Sequence, residues 1–290
     1  MFKQHIKETI LNNRLQMILS VIFISVLVFL TFSLFNAQTV YTGLDKTIIR
    51  SSANRHSNRI GTLKQFQKVH VLYKKNNWYR IRFQDTKLGW IPIWLTNRNF
   101  PKGQVETPLS ESIIVLDPGH GGNDAGALTS NKKHDEKVYT LKNAQAIYKK
   151  LDESGAKVEM TRNNDSFVDL ASRPQLSNEL KADAFISIHY DSSDVENTAT
   201  GDTTYYYHKK TSYDLANDIN DGLKNNVKMD NKGVQFADYQ VLRDNKQPAV
   251  LVEGGYINTD KDYKKIASKN YENEISTAIF EGLTKFLQDN

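Results

Sequence analysis

The longest hydrophobic pattern in the chain is an unbroken run. From Leu15 to Phe35, 21 residues, only Gln16, Ser20, Ser25, Thr31 and Ser33 are polar and none is charged. At about 1.5 Å per residue, a helix of that length crosses a hydrocarbon core of about 30 Å, so the run predicts one transmembrane helix over 15–35. A buried helix of a globular domain would carry a polar stripe. A cleaved signal peptide would have an apolar region of about 7–15 residues ending in small residues, whereas this run leaves through Phe35-Asn36-Ala37-Gln38. Lys3, Lys7 and Arg14 precede it against a single Glu8, and no basic residue follows it through Gly43. The positive-inside bias therefore predicts residues 1–14 in the cytoplasm and a single-pass protein whose remainder is outside the cell. Secretion after signal cleavage is the alternative.

Beyond residue 40 the pattern becomes alternating. Thr47-Ile48-Ile49-Arg50, Val69 to Tyr73, Trp78 to Phe83 and Gly89 to Pro92 read as short strands, with turn signals at Asn76-Asn77 and Asp85-Thr86. They predict a small antiparallel β-barrel over 41–100. Pro101, Gly103 and Pro108 mark a linker over 101–111. From 112 to 290 strands and helices alternate. Strands are predicted at 113–116, 157–160, 184–188, 204–207 and 249–252, and helices at 138–153, 169–180, 213–225 and 273–286. This alternation predicts an α/β domain, an open sheet flanked by helices on both faces, with enough residues for one core.

Charge divides the chain in the same place. Residues 1–109 hold 16 Lys/Arg against 4 Asp/Glu, and residues 110–290 hold 22 against 29. Within 41–109 the count is 13 against 3, so the barrel should attract anionic polymers or headgroups through a salt-screened field. A solvated basic face on a spacer is the plain alternative, and nucleic acid is not expected as a partner of an exported domain. There is no cysteine, which excludes disulfide scaffolds, thiolate metal sites and cysteine nucleophiles, and any metal must rest on His and carboxylates.

In open α/β sheets, functional groups gather beyond the carboxyl ends of strands. Here one strand runs into Asp117-Pro118-Gly119-His120-Gly121-Gly122, a second ends at Ser187-Ile188-His189, and a third at Val252-Glu253-Gly254-Gly255. A hydrolytic zinc needs three protein ligands and an open position, and two His with one carboxylate form the usual cysteine-free set. Glu136, at the start of the first helix, is the natural third ligand, with Asp135 and His134 as rivals. Glu253 is then free to act as general base and acid. His208 reads as a solvent-side residue, and Arg162 and Arg173 as ion-pair partners rather than catalysts.

Taken together, these segments resemble the zinc-dependent N-acetylmuramoyl-L-alanine amidases of the amidase-3 type. Ile114 to Gly122 looks like their "vvlDPGHGG" block, Glu136-Lys137 with Leu141 like "EKdvnL", Phe185 to His189 like "fiSIHaN", and Leu251 to Asn258 like "lvElGFisN". The resemblance covers residues 113 to about 288. It implies zinc on His120, Glu136 and His189, catalytic Glu253, and hydrolysis of the amide joining N-acetylmuramic acid to the L-alanine of peptidoglycan stem peptides. Two positions depart from the pattern: Asp191 stands where the family has Asn, and Gly254 where it has a bulkier residue. Residues 47–96 are similar to bacterial SH3-like wall-binding domains, with Arg50 to Asn54 looking like their "LRxGPs" opening and Trp78 to Ile81 and Gly89 to Ile91 like later strands.

Three functions are thus in competition: a membrane-anchored zinc amidase of the cell wall, a zinc peptidase or deacetylase, and a catalytically idle wall-binding scaffold. An anchored wall hydrolase needs restraint, so a regulatory membrane protein touching the 15–35 helix is a further expected partner.

Overall fold

The computed structural model describes residues 13–289 other than Gln38 and Asp85; within its first helix the side chains of Leu15 and of residues 32–37 also fall outside the description. The chain divides into two compact units between Asn99 and Phe100. Helix α1, Arg14–Ala37, forms as the apolar run predicts, and its large apolar side chains from Met17 to Leu30 are 49–69% exposed. Among the described residues no helix is long and apolar enough to cross a membrane. The expected span over 15–35 is therefore not supported by the described residues. Lys3, Lys7 and Glu8, on which the cytoplasmic N-terminus was argued, lie outside the described residues.

The first unit is an antiparallel sheet of β1 (Thr39–Tyr41), β2 (Thr47–Arg50), β3 (Arg59–Leu63), β4 (Lys68–Lys75), β5 (Trp78–Phe83) and β6 (Lys87–Pro92), in the order β1-β4-β5-β6-β2-β3. Val40, Ile49, Leu63, Val69, Ile81, Phe83 and Ile91 form its core. The alternating runs supplied four of these strands. β3 lacked that signal because only Leu63 of its five residues is buried.

The second unit contains β7 (Ile113–Pro118), α2 (Glu136–Glu153), β8 (Lys157–Met160), α3 (Ser172–Leu180), β9 (Ala184–Asp191), β10 (Asp202–Tyr206), α4 (Lys209–Asn226), β11 (Asn231–Phe236), α5 (Gln240–Arg243), β12 (Ala249–Tyr256), α6 (Asp260–Ile266) and α7 (Lys269–Asp289). The segment expected as a linker opens this unit: Leu109 joins its core and Ser110, Glu111 and Ser112 are buried. The sheet order is β11-β10-β12-β9-β7-β8. β8, β7, β9 and β12 run parallel, whereas β10 is antiparallel to β12 and parallel to β11. The sheet is mixed because the β9–β10 connection contains no crossover helix to return the chain to its starting end. β11 escaped the sequence pattern, being a polar edge strand with no fully buried residue.

Side-chain parity then sorts apolar packing from chemistry. Ile114, Leu116, Ile186, Ile188, Val250 and Val252 share one core with Ile147 of α2, Leu215 and Ile219 of α4 and Ile275, Ile279 and Leu283 of α7. Alternate residues of the same strands, Asp117, Ser187, His189 and Glu253, point to the opposite face.

Candidate metal centre and acid

His120 sits just past β7 with φ 59°, followed by Gly121 at 130° and Gly122 at 58°, so the turn runs through the left-handed region and the histidine itself adopts it. Glu136 is the first residue of α2, after the N-cap Asp135, where a carboxylate also complements the helix dipole. His189 and Glu253 lie within β9 and β12 rather than beyond them, in register with each other across neighbouring strands. Gly119 makes room for the His189 ring: a Cβ there would stand 2.2 Å from His189 Cε1.

Three of these side chains converge. His120 Nε2 is 3.0 Å from Glu136 Oε2 and His189 Nδ1 is 3.1 Å from Glu136 Oε1. The imidazoles stand edge to face with centroids 4.9 Å apart, and one donor atom from each of the three residues falls within 4.8 Å of the others. The backbone N–H groups of Ala127 and Tyr190 donate to Glu136 at 2.9 and 3.0 Å. Burial opposes ionisation of Glu136, but the hydrogen bonds and charge of both imidazoles outweigh it and hold the carboxyl far below its usual range. For His120, burial favours the neutral ring, and the Glu136 and Asp124 carboxylates overcome it, so its proton affinity rises.

The rival ligands go elsewhere. His134 is exposed and stacks on Tyr263 at 5.5 Å, and Asp135 only starts the helix. Asp124, which the pattern did not single out, and the two arginines complete the support. Asp124 Oδ2 lies 2.9 Å from His120 Nδ1, which fixes the ring and leaves Nε2 turned to the cluster, the arrangement that a metal-binding histidine uses. Arg173 meets the expectation of an ion pair, reaching buried Asp117 at 2.8 Å, and it also donates to the His120 carbonyl at 3.1 Å. Arg162 differs: its guanidinium donates to the Pro118 and Gly119 carbonyls at 2.9 and 2.7 Å. The two arginines bind the backbone of the histidine turn, a role invisible in sequence because it depends on carbonyls rather than on a partner side chain.

Glu253 stands apart. It is 9% exposed and its Oε2 has no hydrogen-bond partner among the described residues. Burial, reinforced by the charges of Glu136 and Asp191, raises its proton affinity well above that of an ordinary carboxyl. The two departures also find partners. Asp191 accepts from the Ser192 backbone N–H at 2.7 Å and is hydrogen-bonded to Tyr256. Gly254 leaves space for Tyr271, whose hydroxyl donates to the Gly254 carbonyl at 2.6 Å and would stand 2.4 Å from any Cβ there.

Comparison with known proteins agrees with this arrangement. The family model described as N-acetylmuramoyl-L-alanine amidase (Amidase_3) matches residues 114–285, and that of the bacterial SH3 domain matches 45–95. A "Probable cell wall amidase LytH" of Staphylococcus saprophyticus is 34% identical over 99% of both chains, and one of Staphylococcus epidermidis is 40% identical over 73% of this chain and 72% of its own. Among solved structures, an N-acetylmuramoyl-L-alanine amidase from Clostridium difficile 630 is 31% identical with a TM-score of 0.60, covering 62% of this chain and 98% of its own. The CwlD amidase from Clostridioides difficile, solved in complex with the GerS lipoprotein, is 30% identical with a TM-score of 0.59, covering 62% of this chain and 100% of its own. The chain belongs to the N-acetylmuramoyl-L-alanine amidase family Amidase_3, with a bacterial SH3 domain preceding its enzyme domain.

Proposed function

We propose that this peptidoglycan amidase is zinc-dependent, is tethered to the cell membrane by residues 15–35, and cuts the amide between the lactyl group of N-acetylmuramic acid and the L-alanine of stem peptides. The observation that carries the reading is the convergence of one donor atom each from His120, Glu136 and His189 within 4.8 Å beside an acid, Glu253, whose Oε2 lacks a partner among the described residues. The donor set fits zinc: two imidazoles and one carboxylate, with one ring already oriented by Asp124. His120, Glu136 and His189 would hold the ion. When bound, zinc supplies a Lewis acid that polarises the scissile carbonyl and acidifies water.

The chain's own contribution is proton transfer and placement. Glu253 takes a proton from the attacking water as the water oxygen bonds to the carbonyl carbon. It then delivers that proton to the nitrogen of L-alanine as the carbon–nitrogen bond breaks, and the second proton of the water passes from the lactyl carboxylic acid to the freed amine, leaving a carboxylate and an ammonium group. Its raised proton affinity suits a group that must keep a proton between these two events. Arg162 and Arg173 hold the turn that carries His120, so that the geometry is set before substrate arrives.

The apolar run of α1 supports an anchor, and the 13 basic residues of 41–109 support attraction of the SH3 unit to an anionic wall polymer. A regulatory membrane protein contacting α1 is part of the same proposal, and the lipoprotein complex of CwlD shows that a relative has a protein partner. The test uses the full chain in detergent with zinc restored after chelation. Mass analysis should show whole stem peptides released with a free L-alanine amine, and release should collapse in Glu253→Gln. Shortened peptides would identify a peptidase, acetate a deacetylase, and no product a scaffold; each overturns the proposal.

A further inference from the structure

We infer that Tyr205 and Tyr239 form a saccharide-binding wall beside Glu253, which receives the sugar ring of the glycan strand while the stem peptide lies on the other side of the acid. The inference rests on the amidase reading above and assigns a substrate subsite within it.

Strand register places the wall. Thr203 is opposite Glu253 and Tyr205 opposite Leu251 in the β10–β12 pair. Residues opposite one another share a face, as do residues two apart along one strand. Tyr205 therefore projects from the same face as Glu253 and His189, roughly 7 Å along β10 from the residue beside the acid. Tyr239, just before α5, stands over it with ring centroids 5.5 Å apart at 89°, and is 40% exposed. Two rings at right angles, one half-buried and one exposed, present an apolar surface together with hydroxyl groups.

Aromatic chemistry selects the occupant. Burial raises the proton affinity of both phenols, and the negative charges of Glu253 and Asp191 raise it further, with Tyr239 pushed up to about 12. A neutral pyranose fits such a surface, because its C–H faces pack on aromatic rings. N-acetylmuramic acid is also covalently joined to the scissile amide, so its ring must rest within one residue of Glu253. Phe236 supplies the internal control. It is 61% exposed but is opposite Tyr206, on the other face of the sheet.

The experiment measures binding of a peptide-free wall tetrasaccharide to the full-length protein in detergent by calorimetry, with stem-peptide release assayed separately. We expect Tyr239→Ala and Tyr205→Ala to weaken saccharide binding at least tenfold, with Tyr239→Phe and Phe236→Ala within threefold of wild type. Absence of binding to wild type overturns the inference, as does equal affinity in wild type and Tyr239→Ala, or an equal loss in Phe236→Ala. Tyrosine-dependent saccharide binding without peptide release would instead refute the amidase reading while leaving the wall in place. The reverse result, release without tyrosine-dependent binding, sinks the wall alone.

Discussion

On the side of β7 and α2, the Glu136 carboxylate meets two imidazoles and two backbone N–H groups, whereas on the side of β12 the Glu253 carboxylate, also buried, leaves Oε2 without a partner among the described residues. One half of the site is saturated with interactions and the other is held short of them. The first condition suits ligands that must remain deprotonated and fixed, and the second suits a group that must exchange a proton. The same withholding recurs one strand away at Asp202, which is fully buried with no partner at Oδ2 among the described residues.

The contrast can be tested by removing its members. The largest effect is expected at the unpaired acid: Glu253→Gln should lower kcat about 10²–10⁴-fold while leaving zinc content, measured by elemental analysis, at the wild-type value. Parallel loss of metal would place Glu253 among the ligands instead and abolish the distinction between the halves. On the saturated side, Arg173→Met strands the buried Asp117 charge and should cost about 3–5 kcal/mol in urea unfolding. Asp117→Asn combined with Arg173→Met should recover part of that loss. An unchanged midpoint in the single variant would show that this side is not held by the pair.

Asp202 offers a pH test of the other side. Burial raises its pKa to about 6 from 3.8, with Asn231 and Lys265 opposing and Asp262 adding to the rise. A folded-state pKa above the unfolded one means that the native protein binds more protons between those values, so this carboxyl costs nothing below pH 4, and its penalty grows through that interval until it is complete above pH 6. Asp202→Asn should thus gain stability relative to wild type as pH rises from 4 to 7, by up to about 3 kcal/mol. A pH-independent difference between the two thermal unfolding curves would refute it. The smallest effect belongs to the histidine's outer partner: Asp124→Asn should weaken zinc affinity about 10–100-fold in competition with a chelator, with little change in the unfolding midpoint of the metal-free protein.

Much of this site could be read along the chain. His120, Glu136, His189 and Glu253 each end a recognisable run of strand or begin a helix, so their residue types and places were visible before any coordinates. Their supporting groups were not. Arg162 and Arg173 act on carbonyls of the histidine turn 43 to 55 positions away in sequence, and Asp124 is one acid among many until His120 adopts its left-handed conformation. The choice of Glu136 over His134 also needed the fold, because all three neighbours 134–136 are chemically competent and only helix entry decides which one turns inward.

By itself, the sequence determined what periodicity and composition can encode: an apolar run at the start, a basic alternating segment, an α/β alternation, and a metal set limited to nitrogen and oxygen donors by the lack of cysteine. Tertiary structure alone decided that β10 runs antiparallel to β12, which brings Tyr205 to the face of Glu253, and that Leu109 and residues 110–112 are buried in the enzyme unit. The division has a simple cause. Local patterns record which face of an element is buried, but strand order and the groups left unpaired in the interior depend on contacts between distant segments, for which a single sequence carries no periodic mark.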